Sequence, residues 1–458
     1  MTAIDISAAM QRASAAMQAD DVDRAFAETA GLLEAAPKDP EAAAARLSLW
    51  RAAPNRRGLR EEVERIISVW PEDPTIVTRG CDALIRAAEL LPPDQLPPVD
   101  GPATVAARAA ERCLQAMGEG GDPVMRGYLR INRANGLRLS REHEAAREVF
   151  DALLEEFPDR GHWWFNRGLL DKAMGDYAAG LEANQRAREL VGDEKPILWN
   201  IAICATALGQ GEAAAEALRA IGFPAQVAES GMPYVEDLPP AQIRVATIGS
   251  GLGDEGHVPD GSVGFELVWV TPISPVHGVI SSATYRHASV DYGDVVLWDG
   301  QPIGVAEVDG RPVPRFPVLA RLKAGDEHRF RFVAVEKRPG QVAALGADLP
   351  GDCAMFIHDE HLVNVPSRRV TGDRRSDRGE GDRDPLVYGK IVVPVDTNLQ
   401  AFRVGLNGLL EQHAGVQMVM PGLLEALGDS PAAGKAHQMW RGLEKTAEKH
   451  RAHAKPKH

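Results

Sequence analysis

Residues 251–256, Gly-Leu-Gly-Asp-Glu-Gly, match the pattern GxGxxG, which in dinucleotide-binding folds lets a backbone approach a pyrophosphate. That chemistry requires a helix directly after the glycines, because the amide groups of its first turn bind the phosphates. Here a Pro-Asp-Gly turn at 259–261 follows, and then the pattern of another strand. Asp254 and Glu255 would also repel phosphate. We therefore interpret the motif as a loop between strands, and the sequence predicts no cofactor.

Histidines and acids in the second half have the residue types of a metal site. His358 and His361 enclose two acids, but the flanking segments AMFI and LVNV have the pattern of strands, on which residues three apart point to opposite faces. A metal ion would need further ligands, for which the candidates are His277, His287 and Asp291. Because motif matches without structural context are mostly false, we predict no metal site.

A serine and a histidine lie close together in residues 271–282, TPISPVHGVISS. Ser274 could act as a nucleophile with His277 as its partner, and His277 could form an acid–base pair with Asp291 or Asp294. A nucleophilic serine also needs a sharp exposed turn and an oxyanion pocket, and the GxSxG elbow occurs nowhere in the chain. No catalytic residue is predicted, and an enzyme with a hydrolase-like second half stays an alternative hypothesis.

The composition limits the classes of function. The 458 residues carry a net charge of −14, which argues against a general nucleic-acid or lipid-surface binder because phosphate contacts need a basic face. The cysteines at 81, 113, 204 and 353 form no CxxC pair, which favours buried thiols in a reducing cytoplasm. The N-terminus has no signal-peptide pattern, and no run of about 18 apolar residues predicts a membrane span. We expect a cytoplasmic protein, and its arginine and alanine content suggests a bacterial one.

The first half has a repeat of 34 residues. Asn132, Asn166 and Asn200 are separated by this step, and so are the segments Pro37–Pro40 and Pro71–Pro74. Small residues keep the same step, at Ala134, Gly168 and Ala202 and again at Ala146, Gly180 and Ala214. A period of this length indicates stacked pairs of helices, which approach closely only where one side chain lacks bulk.

Prolines and glycines delimit the helices of these pairs. The pairs are predicted near 3–19 with 21–35, 40–52 with 57–69, 123–140 with 142–156, 161–174 with 176–191, and 196–208 with 211–220. One further helix is predicted from Pro74 to about Leu90. A proline-rich insertion near 91–102 then interrupts the rhythm, and its prolines predict an extended segment.

Residues 1–222 resemble the tetratricopeptide repeat (TPR) family, most closely at Trp164, Phe165, Asn166 and Gly168. The resemblance implies an all-α solenoid whose first helices form a concave face that holds other proteins. Eight residues are the candidates for peptide binding on this face: Asn132, Asn135, Arg138, Phe165, Asn166, Lys172, Trp199 and Asn200. Their amides could bind a peptide backbone.

Two considerations qualify this prediction. Asparagine at this place in the family also orders neighbouring helices, and aromatic residues at helical spacing are more often part of the core. Some relatives hold the terminal carboxylate of a peptide with basic residues. At the corresponding positions this sequence has Ile131, Pro196 and Asn200. The resemblance therefore does not extend to a carboxylate clamp.

The periodicity changes near 222–224, where a mainly antiparallel α+β domain is predicted for residues 241–450. Runs of β-branched residues predict strands at 243–250, 265–273, 277–285, 294–300, 317–322, 328–336, 390–396 and 416–420. Helices are predicted at 399–413, 421–428 and 431–449. Residues 367–385 mix both charges with almost no apolar residue, which predicts a flexible loop.

The fold class predicted is thus a TPR-like all-α solenoid followed by a mainly antiparallel α+β domain. The function predicted is that of a scaffold or adaptor, which binds a protein or peptide partner through the concave face of the repeats. The alternatives are the enzyme described above, with repeats that recruit its substrate, and a structural subunit of a larger bacterial assembly. The oligomeric state does not follow from the sequence.

Overall fold

The computed structural model describes residues 6–91, 97–248, 263–284, 287–358 and 386–454. The GxGxxG motif, His361 and the charged segment 367–385 lie outside these residues, and so do residues 92–96 of the proline-rich insertion. The chain divides into two compact units. The first comprises Met1–Leu208 and Glu216–Gly222, and the second comprises Gly209–Ala215 and Phe223–His458.

Helices make up the first unit, which confirms the predicted TPR-like solenoid. They are α1 (Ile6–Gln18), α2 (Val22–Ala30), α3 (Leu32–Ala35), α4 (Pro40–Ala52), α5 (Leu59–Val69), α6 (Pro74–Ala88), α7 (Pro102–Met117), α8 (Pro123–Leu139), α9 (His143–Glu156), α10 (Gly161–Met174), α11 (Tyr177–Val191), α12 (Lys195–Ala207) and α13 (Gly211–Ala220). Helix α7 was not predicted. It packs against α6 and α8.

Repeated Asp-Pro pairs start three of these helices. The Asp39 carboxylate accepts hydrogen bonds from the backbone N–H groups of Glu41 and Ala42, at 2.8 and 3.0 Å. Asp73 does the same for the first turn of α6, and Asp122 caps α8. Each proline that follows occupies the first position of a helix, where its missing N–H removes no hydrogen bond.

The small residues of the repeat allow the helices to approach closely. A Cβ at Gly168 would lie 2.2 Å from the Asn184 amide nitrogen, and one at Gly180 would lie 3.2 Å from the Cys204 sulfur. Ala134 and Ala146 are fully buried, and so are Ala202 and Ala214. The 34-residue step therefore marks positions where neighbouring helices pack closely, and a larger side chain there would separate them.

The second unit contains β-strands and four helices within its described residues. Its strands are β1 (Gln226–Val227), β2 (Pro233–Tyr234), β3 (Ala241–Ile248), β4 (Val263–Ser274), β5 (His277–Ile280), β6 (His287–Ala288), β7 (Val295–Trp298), β8 (Gly304–Val308), β9 (Arg311–Lys323), β10 (His328–Glu336), β11 (Ala354–His358), β12 (Leu386–Val393) and β13 (Val416–Val419). Its helices are α14 (Gln341–Ala347), α15 (Leu399–Gln412), α16 (Pro421–Ala426) and α17 (Ser430–Ala454). Their arrangement confirms the predicted α+β class.

Five strands of the second unit close into a barrel. Strands β3, β4, β5, β7 and β9 pair antiparallel in that order, and the parallel pair β3–β9 closes the ring. The odd-numbered residues of β3 and the even-numbered residues of β4 point inward, where Val245, Val270 and Trp298 form part of the core. Closure removes the edges that an open sheet of this size would expose.

A separate four-stranded sheet has the strand order β11-β12-β10-β13. With its helices the chain order is β10-α14-β11-β12-α15-β13, which is the split βαβ arrangement of ferredoxin-like folds. Phe330 and Phe332 on one face pack against α14 and α15. Val333 and Tyr388 on the opposite face pack against Trp440 of α17. Both faces of the sheet are thus covered by helices.

Candidate peptide-binding groove

A groove of about 380 Å³ lies in the first unit. Its walls come from α6, α8 and α10, and the lining residues are Thr75, Thr78, Arg79, Asp82, Met125, Tyr128, Ile131, Asn132, Asn135, His162, Trp163 and Asn166. This volume is within the range of small-molecule and side-chain pockets. The groove combines apolar contacts with several groups that form hydrogen bonds.

The apolar part of the groove is built around Trp163. The indole is buried, and it meets Phe157 edge-on at 5.3 Å and Tyr128 edge-on at 6.0 Å between ring centroids. Gly127 is required for this packing, because a Cβ there would lie 2.8 Å from the indole ring. Tyr128 remains 41% exposed, so its ring offers a wide apolar surface to a ligand.

Asn132 connects α8 to α6 instead of facing the groove with free hydrogen-bonding groups. Its side-chain amide donates a hydrogen bond to the Thr78 carbonyl oxygen at 3.2 Å, and it also bonds the Asp82 carboxylate. Burial raises the pKa of Asp82, and Arg51 and the bond from Asn132 oppose that shift. Asn132 therefore positions the groove walls, which is the ordering role that the sequence left open.

Asn135 and Asn166 keep hydrogen-bonding capacity. The Asn135 carbonyl oxygen accepts from Arg138 at 3.3 Å, and the Asn166 amide donates to the His162 carbonyl oxygen at 2.8 Å. Within the described ranges, the Asn135 amide N–H groups and the Asn166 side-chain oxygen have no further partner. A peptide backbone has one donor and one acceptor per residue and can bond to both kinds of group.

The other predicted site residues lie outside the groove lining. Lys172 is buried and donates to the Asn200 side-chain oxygen at 2.8 Å, so this pair joins α10 to α12. Arg138 is half-buried beside Glu89, and burial lowers its pKa. Phe165 and Trp199 are half-buried. The structure therefore brings together Asn132, Asn135 and Asn166 in one groove lining, and peptide binding by all eight residues stays a prediction.

Four residues of α6 line the groove although the sequence reasoning missed them: Thr75, Thr78, Arg79 and Asp82. Asn132 contacts Thr78, which is 54 positions earlier in the chain. A step of 34 residues back from Asn132 reaches Pro98 instead, because α7 and the segment that precedes it add residues between α6 and α8. The Asp73-Pro74 helix start was the available signal for α6 as a first helix.

The structure brings the catalytic candidates Ser274 and His277 together, and it places Asp291 beside Lys390 and His358. His277 is buried at the β4–β5 turn, where its Nδ1 lies 2.7 Å from the Ser274 hydroxyl, and burial lowers its pKa to about 4. His358 is at the end of β11, and burial lowers its pKa to about 3. Asp291 forms an ion pair with the buried Lys390, not with His277. The described residues contain no group of three or more metal-ligating side chains.

Two general features concern the environment of the protein. Cys81, Cys113, Cys204 and Cys353 are free thiols, and the first three of them are buried. Within the ranges that the structure describes, no helix is both long enough and apolar enough to span a bilayer.

Comparison with known proteins yields structural neighbours alone. No protein-family profile and no curated protein matches the chain. A TPR protein from Parabacteroides merdae matches 49% of this chain and 81% of its own, with 13% identity and a TM-score of 0.38. PilW, a type IV pilus biogenesis factor, matches 49% of this chain and 96% of its own, with 16% identity and a TM-score of 0.37. A monomeric mutant of IFIT1 with Gppp-AAAA matches 43% of this chain and 45% of its own, with 15% identity and a TM-score of 0.32.

The helical pairs and the 34-residue step define the first half as a TPR-like segment.

Proposed function

We propose that this protein is an interaction scaffold, and that its TPR-like half holds an extended peptide segment of a partner protein in the groove between α6, α8 and α10. The observation that carries the proposal is the lining of that groove. An aromatic surface at Tyr128 and Trp163 lies beside the unsatisfied amide groups of Asn135 and Asn166. We also propose that the protein acts in the cytoplasm, where its four free thiols stay reduced.

The physical basis is the need of an extended peptide for two kinds of contact. Its backbone groups lose hydrogen bonds to water on binding, and amide side chains replace those bonds without regard to sequence. Its affinity comes mainly from one or two anchor side chains in a desolvated pocket. The groove offers both, with Asn135 and Asn166 for the backbone and Tyr128 with Trp163 for an apolar anchor.

The test is a selection from a random peptide library displayed on phage, with the full chain as bait. Selected peptides are then synthesised with a fluorophore, and their dissociation constants are measured by fluorescence anisotropy. In the double variant Tyr128→Ala with Asn166→Ala, we expect binding to weaken at least about tenfold, since loss of an anchor contact costs 1–2 kcal/mol or more. Circular dichroism establishes that the variant remains folded.

A matched control replaces the same residue types away from the groove. Tyr234 and Asn407 are both exposed and belong to the second unit. The variant Tyr234→Ala with Asn407→Ala should bind the selected peptides as the wild type does. Equal loss in both variants, or no loss in either, would reject the groove as the binding site. A labelled single-stranded RNA that binds through the groove, when no peptide does, would replace the proposal with nucleic-acid binding.

A further inference from the structure

The groove lining contains one arginine and one carboxylate, Arg79 and Asp82. The chain has a net charge of −14, yet three arginines act on the single carboxylate of the groove lining, Asp82. These are Arg51, Arg79 and Arg86. A fourth, Arg160, lies over the Trp163 ring at 5.7 Å. The arginines around Asp82 oppose its negative charge, and Arg86 also pairs with Glu89 at 3.7 Å, so Arg79 is the arginine of the lining that can attract an acidic ligand.

Arg79 is the cation of the groove lining that is free to bind a carboxylate. It is exposed, and its guanidinium donates to the Ser48 hydroxyl at 3.3 Å. Within the described part of the chain, no carboxylate lies within ion-pair distance of it. By contrast, Arg130 and Arg133 on α8 form ion pairs with Glu156 and Glu111. The planar guanidinium suits the two oxygens of a carboxylate.

The apolar part of the groove is close enough to Arg79 for one peptide to contact both, through an acidic residue and a neighbouring side chain. A volume of about 380 Å³ is that of a cube with edges of about 7 Å, which two residues of extended chain span. Arg79, Tyr128 and Trp163 all line this volume. An acidic residue at Arg79 therefore places the next one or two residues at the aromatic surface.

We infer that the groove selects peptides in which an aspartate or glutamate lies within two positions of a bulky apolar residue. The carboxylate pairs with Arg79, and the apolar side chain packs on Tyr128 and Trp163. This specificity rests on the proposed peptide-binding function and adds the chemical class of the ligand.

The experiment compares the peptides selected from the random phage library by three full-length baits. These are the wild type, Arg79→Glu and the control Arg65→Glu. The control makes the same change of charge at an exposed arginine of helix α5, which does not line the groove. We expect the wild type and the control to enrich an acidic residue within two positions of Leu, Met, Phe, Tyr or Trp. Arg79→Glu should lose the acidic preference and enrich lysine or arginine at that position.

Affinity measurements supply the second readout. A peptide selected by the wild type should bind Arg79→Glu at least about tenfold more weakly, and the control should bind it as the wild type does. The difference should shrink at high salt, because the pair is exposed. Replacing the peptide's acid by asparagine should weaken binding to the wild type and have little effect on Arg79→Glu.

The possible failures are distinguishable. If peptides bind through Tyr128 and Asn166 but show no acidic preference, or bind Arg79→Glu unchanged, the inferred specificity is wrong and peptide binding stands. If no selected peptide depends on Tyr128 and Asn166, the proposed function is wrong as well.

Discussion

The contact between α7 and α8 yields the sharpest prediction for stability. A Cβ added at Gly136 would lie 2.8 Å from the Ala103 carbonyl oxygen and 2.8 Å from the Ala107 backbone nitrogen. Both are backbone atoms of α7, so no side-chain rotation can relieve the clash and the helices must separate. We therefore predict that Gly136→Ala destabilises the first unit, although alanine is the better helix former.

The magnitude follows from two opposing terms. Overpacking of a buried site costs about 1–3 kcal/mol, and a clash with backbone on two sides belongs at the upper end of this range. The helix propensity of alanine returns about 1 kcal/mol. The net loss is about 2 kcal/mol, which lowers the melting temperature of a unit of this size by about 4–8 °C.

The matched control is Gly405→Ala in α15, where a Cβ meets nothing within 4 Å. This exposed site should gain about 0.5–1 kcal/mol, so the same substitution has opposite signs at the two positions. Differential scanning calorimetry of the full chain, with circular dichroism for helix content, measures both effects. A Gly136→Ala protein that melts at or above the wild-type temperature would refute the close packing of α7 on α8.

Three further predictions concern a cap, a buried ion pair and a titrating histidine. Asp73→Ala removes two hydrogen bonds to the first turn of α6 and should lower the free energy of urea unfolding by about 1 kcal/mol. Its control, Asp100→Ala, loses only a surface ion pair with Arg108 and should change this free energy by less than about 0.5 kcal/mol. Asp291→Asn leaves the buried Lys390 ammonium without its carboxylate and should lower the free energy of unfolding by about 3 kcal/mol. The double variant with Lys390→Met should recover most of this loss. If the single and double variants are equally unstable, the ion pair is not the cause. Burial lowers the pKa of His277 from 6.5 to about 4, so between these pH values the unfolded chain binds a proton that the folded chain excludes. The contribution of His277 to the free energy of unfolding should be complete above pH 6.5 and fall by up to about 3 kcal/mol towards pH 4. In pH-dependent urea unfolding, His277→Gln should flatten this slope and leave the part due to His358, whose pKa is lowered in the same direction.

Local signals in the sequence account for most of the helical half. Proline and aspartate act within one turn of their own position, so Pro40 and Pro74 mark helix starts wherever the segment lies in the fold. Helix α7 escaped prediction although it is amphipathic, because its buried face consists mainly of alanines, and its burial depends on α6 and α8. Most of the longer strands of the second half were predicted individually, but β8 and the two-residue strands β1, β2 and β6 were not, and neither was the barrel or the ferredoxin-like order.

The candidate site shows where the sequence reasoning ended. The 34-residue step singled out three asparagines, yet it could not tell which of them line a groove. Asn132 and Asn166 both lie in the groove lining, where Asn132 also bonds to α6, whereas Asn200 lies outside it and is bonded to the buried Lys172. The prediction also omitted Arg79, because α7 and the segment before it make the spacing between α6 and α8 differ from the 34-residue step.

The sequence by itself determined the class of the first half, the helix starts, the small contact residues and the strand-rich nature of the second half. These depend on interactions within a few residues or on a regular period, both of which are visible in one dimension. Only the tertiary structure decided which polar side chains are consumed by contacts between helices and which stay available to a ligand. Whether a polar side chain is consumed depends on neighbours far along the chain: Lys172 contacts Asn200, which is 28 positions away, and Asn132 contacts Thr78, which is 54 positions away. An insertion alters such separations without changing any local pattern.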